Sequence, residues 1–120
     1  MKIINTKIKG LKIIQQAKHG DIRGYLRETF RKKIIKWDQL IFDYSTTSKK
    51  NVLRGFHFQS KYKQAKFVSV LKGKILDCVI DLRKKSKTYD SIYSKSYYNH
   101  LPLSGMFFLF NARITSCTYQ

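Results

Sequence analysis

The chain has 120 residues, of which 42% are hydrophobic and 14% aromatic, and its 25 Lys and Arg against 7 Asp and Glu give a formal net charge of +18. The length fits one domain over residues 1–120, and the composition excludes an intrinsically disordered chain, which would be poor in aromatic and β-branched residues. No apolar run approaches the roughly 18 residues of a membrane span, and lysines interrupt the N-terminal segment where a signal peptide needs an unbroken apolar core. We therefore expect a cytoplasmic protein with no membrane partner.

Short β-strands separated by turn signals are predicted over the first third of the chain. The β-branched residues of 2–8 and 11–14 favour two strands, and residues 25–30 favour a third. Between them, the two glycines and the aspartate of residues 19–24 predict a structured loop. Residues 32–40 predict a short helix, although their apolar positions fit one helical face only loosely.

The middle of the chain shows stronger strand patterns. Residues 41–47 are rich in aromatic and β-branched side chains, and a second apolar run covers residues 52–58. Residues 67–71 and 75–82 are predicted to pair as a tight hairpin across Lys72-Gly73-Lys74. Strands of this length and spacing predict an all-β sandwich or barrel.

The two cysteines, Cys78 and Cys117, are far apart in sequence and match no metal-ligand or redox spacing. Cys78 lies in the apolar run of residues 75–80, where a small core residue is predicted. Cys117 lies in a polar stretch, and we assign it no role.

His57 is the first candidate for chemistry. A partly buried imidazole titrates near neutrality and can remove a proton from a carbon that a neighbouring carbonyl acidifies. Such a reaction also needs a cation or a donor at the developing enolate oxygen, and Lys66 and Arg54 could supply it. The structural alternative is a histidine whose ring is satisfied by a backbone partner.

A metal site is not predicted. His57 has no companion histidine two residues away on either side, and His19 and His100 are isolated in sequence. The sequence also lacks a phosphate-cradling glycine loop and a nucleophile elbow.

Asp21, Arg23 and Glu28 form a second constellation. Arginine makes planar bidentate contacts with phosphate, and a nearby carboxylate can accept a hydrogen bond from a sugar or a base. An aspartate-stabilised turn with a surface ion pair explains the same residues equally well.

Four linked motifs resemble one known family. They are residues 20–25 with Glu28, the string Leu53-Arg54-Gly55-Phe56-His57-Phe58-Gln59, the string Gln64-Ala65-Lys66, and residues 73–83. In this order and spacing they resemble the dTDP-4-dehydrorhamnose 3,5-epimerase family over residues 1–89. The string around His57 is specific, and its match favours an epimerase over a related ketoisomerase.

The resemblance implies a cupin-type jelly roll (a double-stranded β-helix) that forms a homodimer and has a metal-free site inside the barrel, with no cofactor. It implies epimerisation at C3 and C5 of dTDP-4-dehydro-6-deoxy-D-glucose, a dTDP-linked 4-keto-6-deoxy sugar, to dTDP-4-dehydro-L-rhamnose in dTDP-rhamnose biosynthesis. The C4 ketone of this substrate makes the protons on both flanking carbons removable, which agrees with the chemistry expected of His57.

The resemblance also assigns roles to individual residues. His57 matches the general base, Lys66 matches a lysine near the keto oxygen, and Asp77 matches a carboxylate on the strand near that lysine. The positions that match substrate-binding residues are Arg54, beside the sugar and diphosphate, and Arg23 and Glu28, which contact the nucleotide across the dimer.

The match ends after Tyr89, because residues 90–120 show none of the tyrosine, aspartate and Pro-x-Gly-Phe-x-His features of the family's second half. The sequence therefore predicts an incomplete jelly roll with a divergent tail, from a truncated or frame-shifted member. Two alternatives to a working epimerase stay open. One is an inactive sugar-nucleotide-binding remnant of this fold; the other, less favoured, is a nucleic-acid-binding β-domain that uses the excess of basic residues.

Overall fold

The computed structural model describes residues 2–35, 43–62, 65–98, 107–109 and 114–119, of which residues 34–35, 107–109 and 114–119 are described by their backbone alone. Its elements in chain order are β1 (Lys2–Asn5), β2 (Leu11–Gln15), β3 (Lys18–Asp21), β4 (Gly24–Arg27), α1 (Lys32–Ile35), β5 (Leu53–His57), β6 (Phe67–Val68), β7 (Lys74–Asp81), β8 (Ile92–Tyr98), β9 (Phe107–Leu109) and β10 (Ile114–Tyr119).

The strands form two four-stranded antiparallel sheets and a separate hairpin. The first sheet has the order β1-β2-β9-β6, the second has the order β5-β10-β7-β8, and β3 pairs with β4. Neighbours in each four-stranded sheet are mostly distant in sequence, as in a jelly roll, where the chain passes repeatedly between two sheets. The all-β prediction is confirmed, and α1 is a single helical turn beside it.

The core lies between the two sheets, and strand alternation explains why. Along β7, the four alternate residues Ile75, Asp77, Val79 and Asp81 are buried, whereas the intervening side chains are exposed or half-buried. Ile75 and Val79 pack with Tyr97 of β8 in one core cluster. The other members of this cluster are Ile8, Leu11 and Val70, which lie in strand β2 or in segments adjoining the strands of the first sheet.

The predicted hairpin across residues 72–74 is wrong. β6 pairs with β9 in the first sheet, whereas β7 pairs with β10 and β8 in the second. Gly73, with φ of 88°, therefore belongs to a connection that crosses between the sheets. A short turn motif shows where the chain bends, but it does not show which strands the flanking segments pair with.

The loop predicted over residues 19–24 is instead most of the β3–β4 hairpin. Asp21 pairs with Gly24, and Ile22 and Arg23 form the two-residue turn. Gly24 has φ of 136°, a conformation that L side chains rarely adopt, and the Asp21 carboxylate accepts a hydrogen bond from the Arg23 amide at 2.8 Å. The glycines and the aspartate thus mark a hairpin turn.

Several predicted elements are shorter in the structure or fall partly outside its description. The helix predicted over 32–40 is observed over Lys32–Ile35, and residues 36–42 lie outside the described residues. Within the segment predicted over 41–47, residues 43–47 have no regular structure. The strand predicted over 25–30 ends at Arg27.

Residues after position 89 contribute to both sheets. β8 pairs with β7 from Lys74↔Tyr98 to Ile80↔Ile92, β10 pairs with the other edge of β7, and β9 lies between β2 and β6. Tyr97 of β8 is 1% exposed and belongs to the core cluster. The change of composition in this part of the chain therefore does not prevent it from pairing with the earlier strands.

A buried carboxylate fixes the turn that joins β7 to β8. Asp81 is fully buried, and it accepts hydrogen bonds from Arg83 Nη2 at 2.6 Å, Ser86 Oγ at 2.7 Å and Thr88 Oγ1 at 2.7 Å. Burial alone would raise the pKa of this carboxyl, but these donors hold the pKa well below its usual range. Asp81 is therefore ionised and fully paired inside the turn.

We expect Asp81→Asn to lower the free energy of unfolding by about 2–4 kcal/mol, because the amide cannot accept all of these bonds and the Arg83 charge loses its partner. Urea denaturation of the purified chain measures the change. The matched control is Asp21→Asn, which removes a carboxylate from a similar Asp-x-Arg pair, 2.6 Å in length, that is exposed to solvent. An equal loss in both variants would contradict a special role for the buried network.

Candidate active site

One extra residue in β5 places Arg54 and His57 on the same face of the second sheet. His57 pairs with Ser116 and Arg54 pairs with Thr118, so Gly55 and Phe56 together oppose a single residue of β10. In a regular strand, residues three apart would face opposite sides. The bulge cancels that reversal, and the two candidate side chains share one side of the sheet.

β10 connects this pair to the buried face of β7. Thr118 pairs with both Arg54 and Asp77, on opposite sides of β10. Directly paired residues of an antiparallel sheet lie on the same face, so Arg54 and His57 share the face of Asp77, which looks into the barrel. Two strand spacings separate the β5 and β7 residues, roughly 10 Å.

Arg54 and His57 are exposed to solvent in the structure. The Arg54 Nε donates a hydrogen bond to Ser48 Oγ at 2.7 Å, which orients the guanidinium toward the turn that precedes β5. The partly buried environment expected for His57 is therefore wrong in this chain. An exposed imidazole on this face of the sheet can still be reached by a ligand.

Lys66 immediately precedes β6 and is half-buried. Although β6 belongs to the first sheet, the positive charge of Lys66 acts across the barrel interior on Asp77 of the second sheet. The fold thus brings together Lys66 and Asp77, which are eleven positions apart in sequence and lie in different sheets.

Asp77 is an unusual carboxyl because it is 1% exposed and, among the described residues, no side chain donates a hydrogen bond to either of its oxygens. The amide of Cys78 lies near enough to favour the carboxylate, but it does not meet hydrogen-bond geometry. Burial is the largest influence and raises the pKa of Asp77 to about 7, while the Cys78 amide and the Lys66 charge act in the opposite direction. Asp77 therefore exchanges its proton near neutral pH.

Two tyrosines of β8, to which the sequence alone assigns no role, lie on the same interior face. Tyr97 pairs with Ile75 and Tyr93 pairs with Val79, so both flank the Asp77 position. Burial raises the pKa of the Tyr97 phenol strongly, and the nearby Tyr93 and Asp77 raise it further. The alternation of residues 92–98 is the signal that could have placed them, once β8 was known to be a strand.

Arg23 and Glu28 occupy the β3–β4 hairpin region, and the structure does not bring them beside His57. Arg23 makes an exposed ion pair with Asp21, and Glu28 accepts a hydrogen bond from Arg31 Nη2 at 2.6 Å. These pairs lower the pKa of both carboxyls and raise the pKa of both guanidiniums. Both acidic groups are therefore ionised and locally paired in a single copy of the chain.

Other kinds of site are not apparent in the part of the chain that the structure describes. A depression of about 490 Å³ lies under the β1–β2 turn, lined by residues 5–12, and it includes none of the candidate residues. Within the described side chains, no group of three or more His, Cys, Asp or Glu residues could hold a metal ion. No helix among the described residues is long and apolar enough to cross a bilayer.

Comparison with known protein families explains why these candidate residues occur in one chain. The family model for dTDP-4-dehydrorhamnose 3,5-epimerase matches residues 5–99, which include the candidate residues of β5, β6, β7 and the hairpin. The chain belongs to the dTDP-4-dehydrorhamnose 3,5-epimerase family. The matched range extends ten residues beyond the segment on which the sequence motifs lie.

Curated relatives support this membership over the same part of the chain. The dTDP-4-dehydrorhamnose 3,5-epimerase of Methanothermobacter thermautotrophicus is 40% identical over 92 residues, which are 73% of this chain and 50% of that protein. The epimerase of Salmonella typhimurium is 37% identical over 95 residues, 74% of this chain and 52% of that protein. The chain thus spans about half the length of the curated relatives it matches.

Solved structures of the dTDP-4-dehydrorhamnose 3,5-epimerase family superpose on nearly the whole chain. The dTDP-6-deoxy-D-glucose-3,5-epimerase of Legionella pneumophila, solved in complex with dTDP-4-keto-L-rhamnose, has a TM-score of 0.88 and 32% identity, covering 98% of this chain and 64% of that one. The Mycobacterium tuberculosis epimerase, at 23% identity, also has a TM-score of 0.88 and covers 99% of this chain and 61% of that one. The cupin-type jelly-roll prediction is confirmed.

Proposed function

We propose that this chain catalyses epimerisation at C3 and C5 of dTDP-4-dehydro-6-deoxy-D-glucose, giving dTDP-4-dehydro-L-rhamnose for dTDP-rhamnose biosynthesis. The observation that carries the proposal is the shared interior face of Arg54, His57 and Asp77 in a member of this family. A base and a cation on one face of the sheet, with a proton-exchanging carboxyl on the same face two strands away, suit proton transfer next to a ketone.

In the proposed reaction, His57 removes a proton from the carbon next to the C4 ketone. The electron pair of the broken C–H bond moves into an enolate, whose oxygen carries the developing negative charge. Lys66, half-buried and charged, stabilises that oxygen more effectively in the barrel interior than it would in bulk water. A proton from solvent is then added to the opposite face of the carbon, the enolate becomes the ketone again, and His57 releases its proton to solvent, which completes the inversion.

Asp77 assists as a neighbour of Lys66. A carboxyl with a pKa of about 7 can take up or release a proton as the charge on the enolate forms and disappears. When Asp77 is ionised, the positive charge of Lys66 attracts it across the barrel, and this attraction favours the carboxylate form of Asp77.

Arg54, Arg23 and Glu28 are proposed to bind the nucleotide part of the substrate. Arg54 lies on the face of His57, so its guanidinium can contact the diphosphate while the sugar lies over the imidazole. Arg23 and Glu28 are proposed to act on the nucleotide held by a second protomer, since a single copy does not place them beside His57. The net charge of +18 attracts such an anionic substrate.

We propose that the protein is a homodimer. The β3–β4 hairpin exposes Ile22, Tyr25 at 47% and Leu26 at 68%, a concentration of apolar side chains that a partner protomer would cover. We expect sedimentation equilibrium to give twice the chain mass of 14.2 kDa, and Leu26→Glu to weaken the association at least tenfold. A monomer at every concentration tested would contradict the dimer.

Deuterium incorporation tests the activity. The purified chain is incubated in heavy water with dTDP-4-keto-6-deoxyglucose, and label at C3 and C5 is followed by NMR. dTDP-glucose is the matched substrate control, because without the ketone its ring protons are not acidic. Label in the keto sugar and none in the control is the expected result.

Each other outcome identifies an alternative. Binding of dTDP without any incorporated label would indicate the sugar-nucleotide-binding remnant. Binding of an oligonucleotide with steep salt dependence, and no response to dTDP, would indicate the nucleic-acid-binding domain. Label at only one of the two carbons would still support proton removal next to the ketone, but it would mean that the chain inverts that carbon alone.

A further inference from the structure

The two cysteines of the chain occupy directly paired positions in neighbouring strands. Cys117 of β10 is the register partner of Cys78 of β7, in an antiparallel ladder that runs without a shift from Ile114↔Asp81 to Tyr119↔Leu76. They are the only cysteines in the sequence. Sequence spacing could not relate them, because β10 and β7 are brought together only by the topology of the second sheet.

The spacing of paired strands suits a covalent link at this position. Directly opposite residues of an antiparallel pair have Cα atoms about 4.5 or 5.5 Å apart, depending on the hydrogen-bonding pattern. Disulfides span Cα separations of roughly 4.4–6.8 Å. Both kinds of antiparallel pair therefore meet this requirement without backbone movement.

Position 78 faces away from the proposed active site. The buried alternate residues of β7, including Asp77 and Val79, point into the barrel, so Cys78 lies with Leu76 and Ile80 on the outer face of the sheet. Cys78 is half-buried and carries a thiol in the structure. The prediction that it is a core residue is therefore wrong, and a small reagent can reach it from outside the barrel.

We propose that Cys78 and Cys117 are a modification site, at which a cross-strand disulfide forms by reaction with a low-molecular-weight disulfide. One protein thiolate attacks a sulfur of the reagent, forming a mixed disulfide and releasing one reagent thiol. The second protein thiolate then attacks the protein sulfur of the mixed disulfide, which forms the Cys78–Cys117 bond and releases the second reagent thiol. The two protein thiols are oxidised, the reagent disulfide is reduced, and the two thiol protons pass to the released thiols.

The charge of the chain favours an anionic reagent. A net charge of +18 raises the local concentration of small anions such as oxidised glutathione. The first exchange step is therefore expected to slow as salt screens the field.

The link would join the strands that hold the proposed active site together. β5, with Arg54 and His57, reaches β7 only through β10 in the second sheet. A bond between β10 and β7 closes a loop of about 40 residues, and we expect it to raise the melting temperature by roughly 10 °C or more. This inference does not depend on the epimerase activity, and its test does not use the sugar substrate.

The test titrates the reduced 120-residue chain with mixtures of oxidised and reduced glutathione at pH 8. Remaining thiols are then blocked with an alkylating agent in denaturant, and mass spectrometry counts the adducts. The expected product is a single chain, not covalently linked to another chain, in which both cysteines have become resistant to alkylation together. The native chain should form it at an oxidant ratio at least 100-fold lower than the same chain in guanidinium, where no register holds the cysteines together.

A register-shifted variant is the matched control. In the double variant Ser116→Cys with Cys117→Ser, the thiol moves one position along β10, opposite Val79 and on the other face. We expect this variant to give glutathione adducts without an internal disulfide. Melting temperature confirms that it is folded before the comparison is made.

Three results would overturn the proposal. The first is equal ease of oxidation in the native and denatured chain. The second is equal internal disulfide formation in the register-shifted variant. The third is oxidation of the native chain to intermolecular dimers only.

Discussion

Replacing His57 with asparagine is expected to reduce deuterium incorporation next to the C4 ketone by about 10³-fold. Asparagine keeps a similar size and can still donate and accept hydrogen bonds, but it cannot take a proton near neutral pH. His57 is exposed on β5 and contributes nothing to the core cluster, so the variant should fold normally. The loss would therefore report chemistry and not stability.

The matched control is His19→Asn, which removes an exposed histidine from the β3–β4 hairpin. This control should exchange deuterium at the rate of the unaltered chain. dTDP affinity in His57→Asn should change by less than about threefold, because Arg54 remains on the shared face. If the His57→Asn variant exchanged deuterium at a rate within tenfold of that of the unaltered chain, His57 would not be the base.

Replacing Asp77 with asparagine is expected to lower the activity and to stabilise the protein increasingly as the pH rises from about 4 to about 7. The folded chain holds the Asp77 proton with a pKa of about 7, whereas in the unfolded chain the group takes its ordinary value of 3.8. Between these values the folded state binds a proton that the unfolded state has released, so the free energy of unfolding falls as pH rises. The total loss at pH 8 is about 4 kcal/mol.

Asp77→Asn removes that loss because the amide stays neutral at every pH. Urea denaturation should show the variant gaining stability relative to the unaltered chain by about 2–3 kcal/mol between pH 5 and pH 7, with little further change up to pH 8. Asp81→Asn is the opposite control: its carboxylate is paired and its pKa is lowered, so that variant should be less stable than the unaltered chain at pH 8. A pH-independent difference for Asp77→Asn would mean that Asp77 is not a neutral acid in the fold.

A gain in stability together with a loss of exchange would mark Asp77 as a group kept for function. A buried carboxyl without a donor side chain costs the fold free energy at the pH where it ionises. Proteins commonly carry such costs at active sites, where stability and activity pull in opposite directions.

The candidate residues could be found from the sequence, but their arrangement could not. The string around His57 identifies a family, and the apolar, strand-like run of residues 75–82 predicts β7 to within one residue at each end. That Arg54 and His57 share a face depends on a bulge opposite β10, and no local pattern in residues 52–58 reveals it. Pairing partners, and therefore bulges, are decided by strands distant in sequence.

Long-range strand pairing also explains why other features of the fold could not be predicted from local sequence. The turn residues at 72–74 indicate a bend but not a change of sheet, and Cys78 and Cys117 are neighbours only through the register of β10 with β7. The burial of Asp77 could not be predicted from the sequence of β7, because Leu76, Cys78 and Ile80 make the opposite face the more apolar one. The shift in its pKa follows from that burial.

The central place of β10 in the second sheet also orders the events of synthesis. β5 and β7 are made well before residues 114–119, yet in the completed sheet they touch only through that strand. While the chain is still on the ribosome, both strands present open edges to solvent and to chaperones. The face that carries His57 and Asp77 therefore assembles only after translation has passed residue 119, so a ribosome stalled before that point would carry every candidate residue without the site they form.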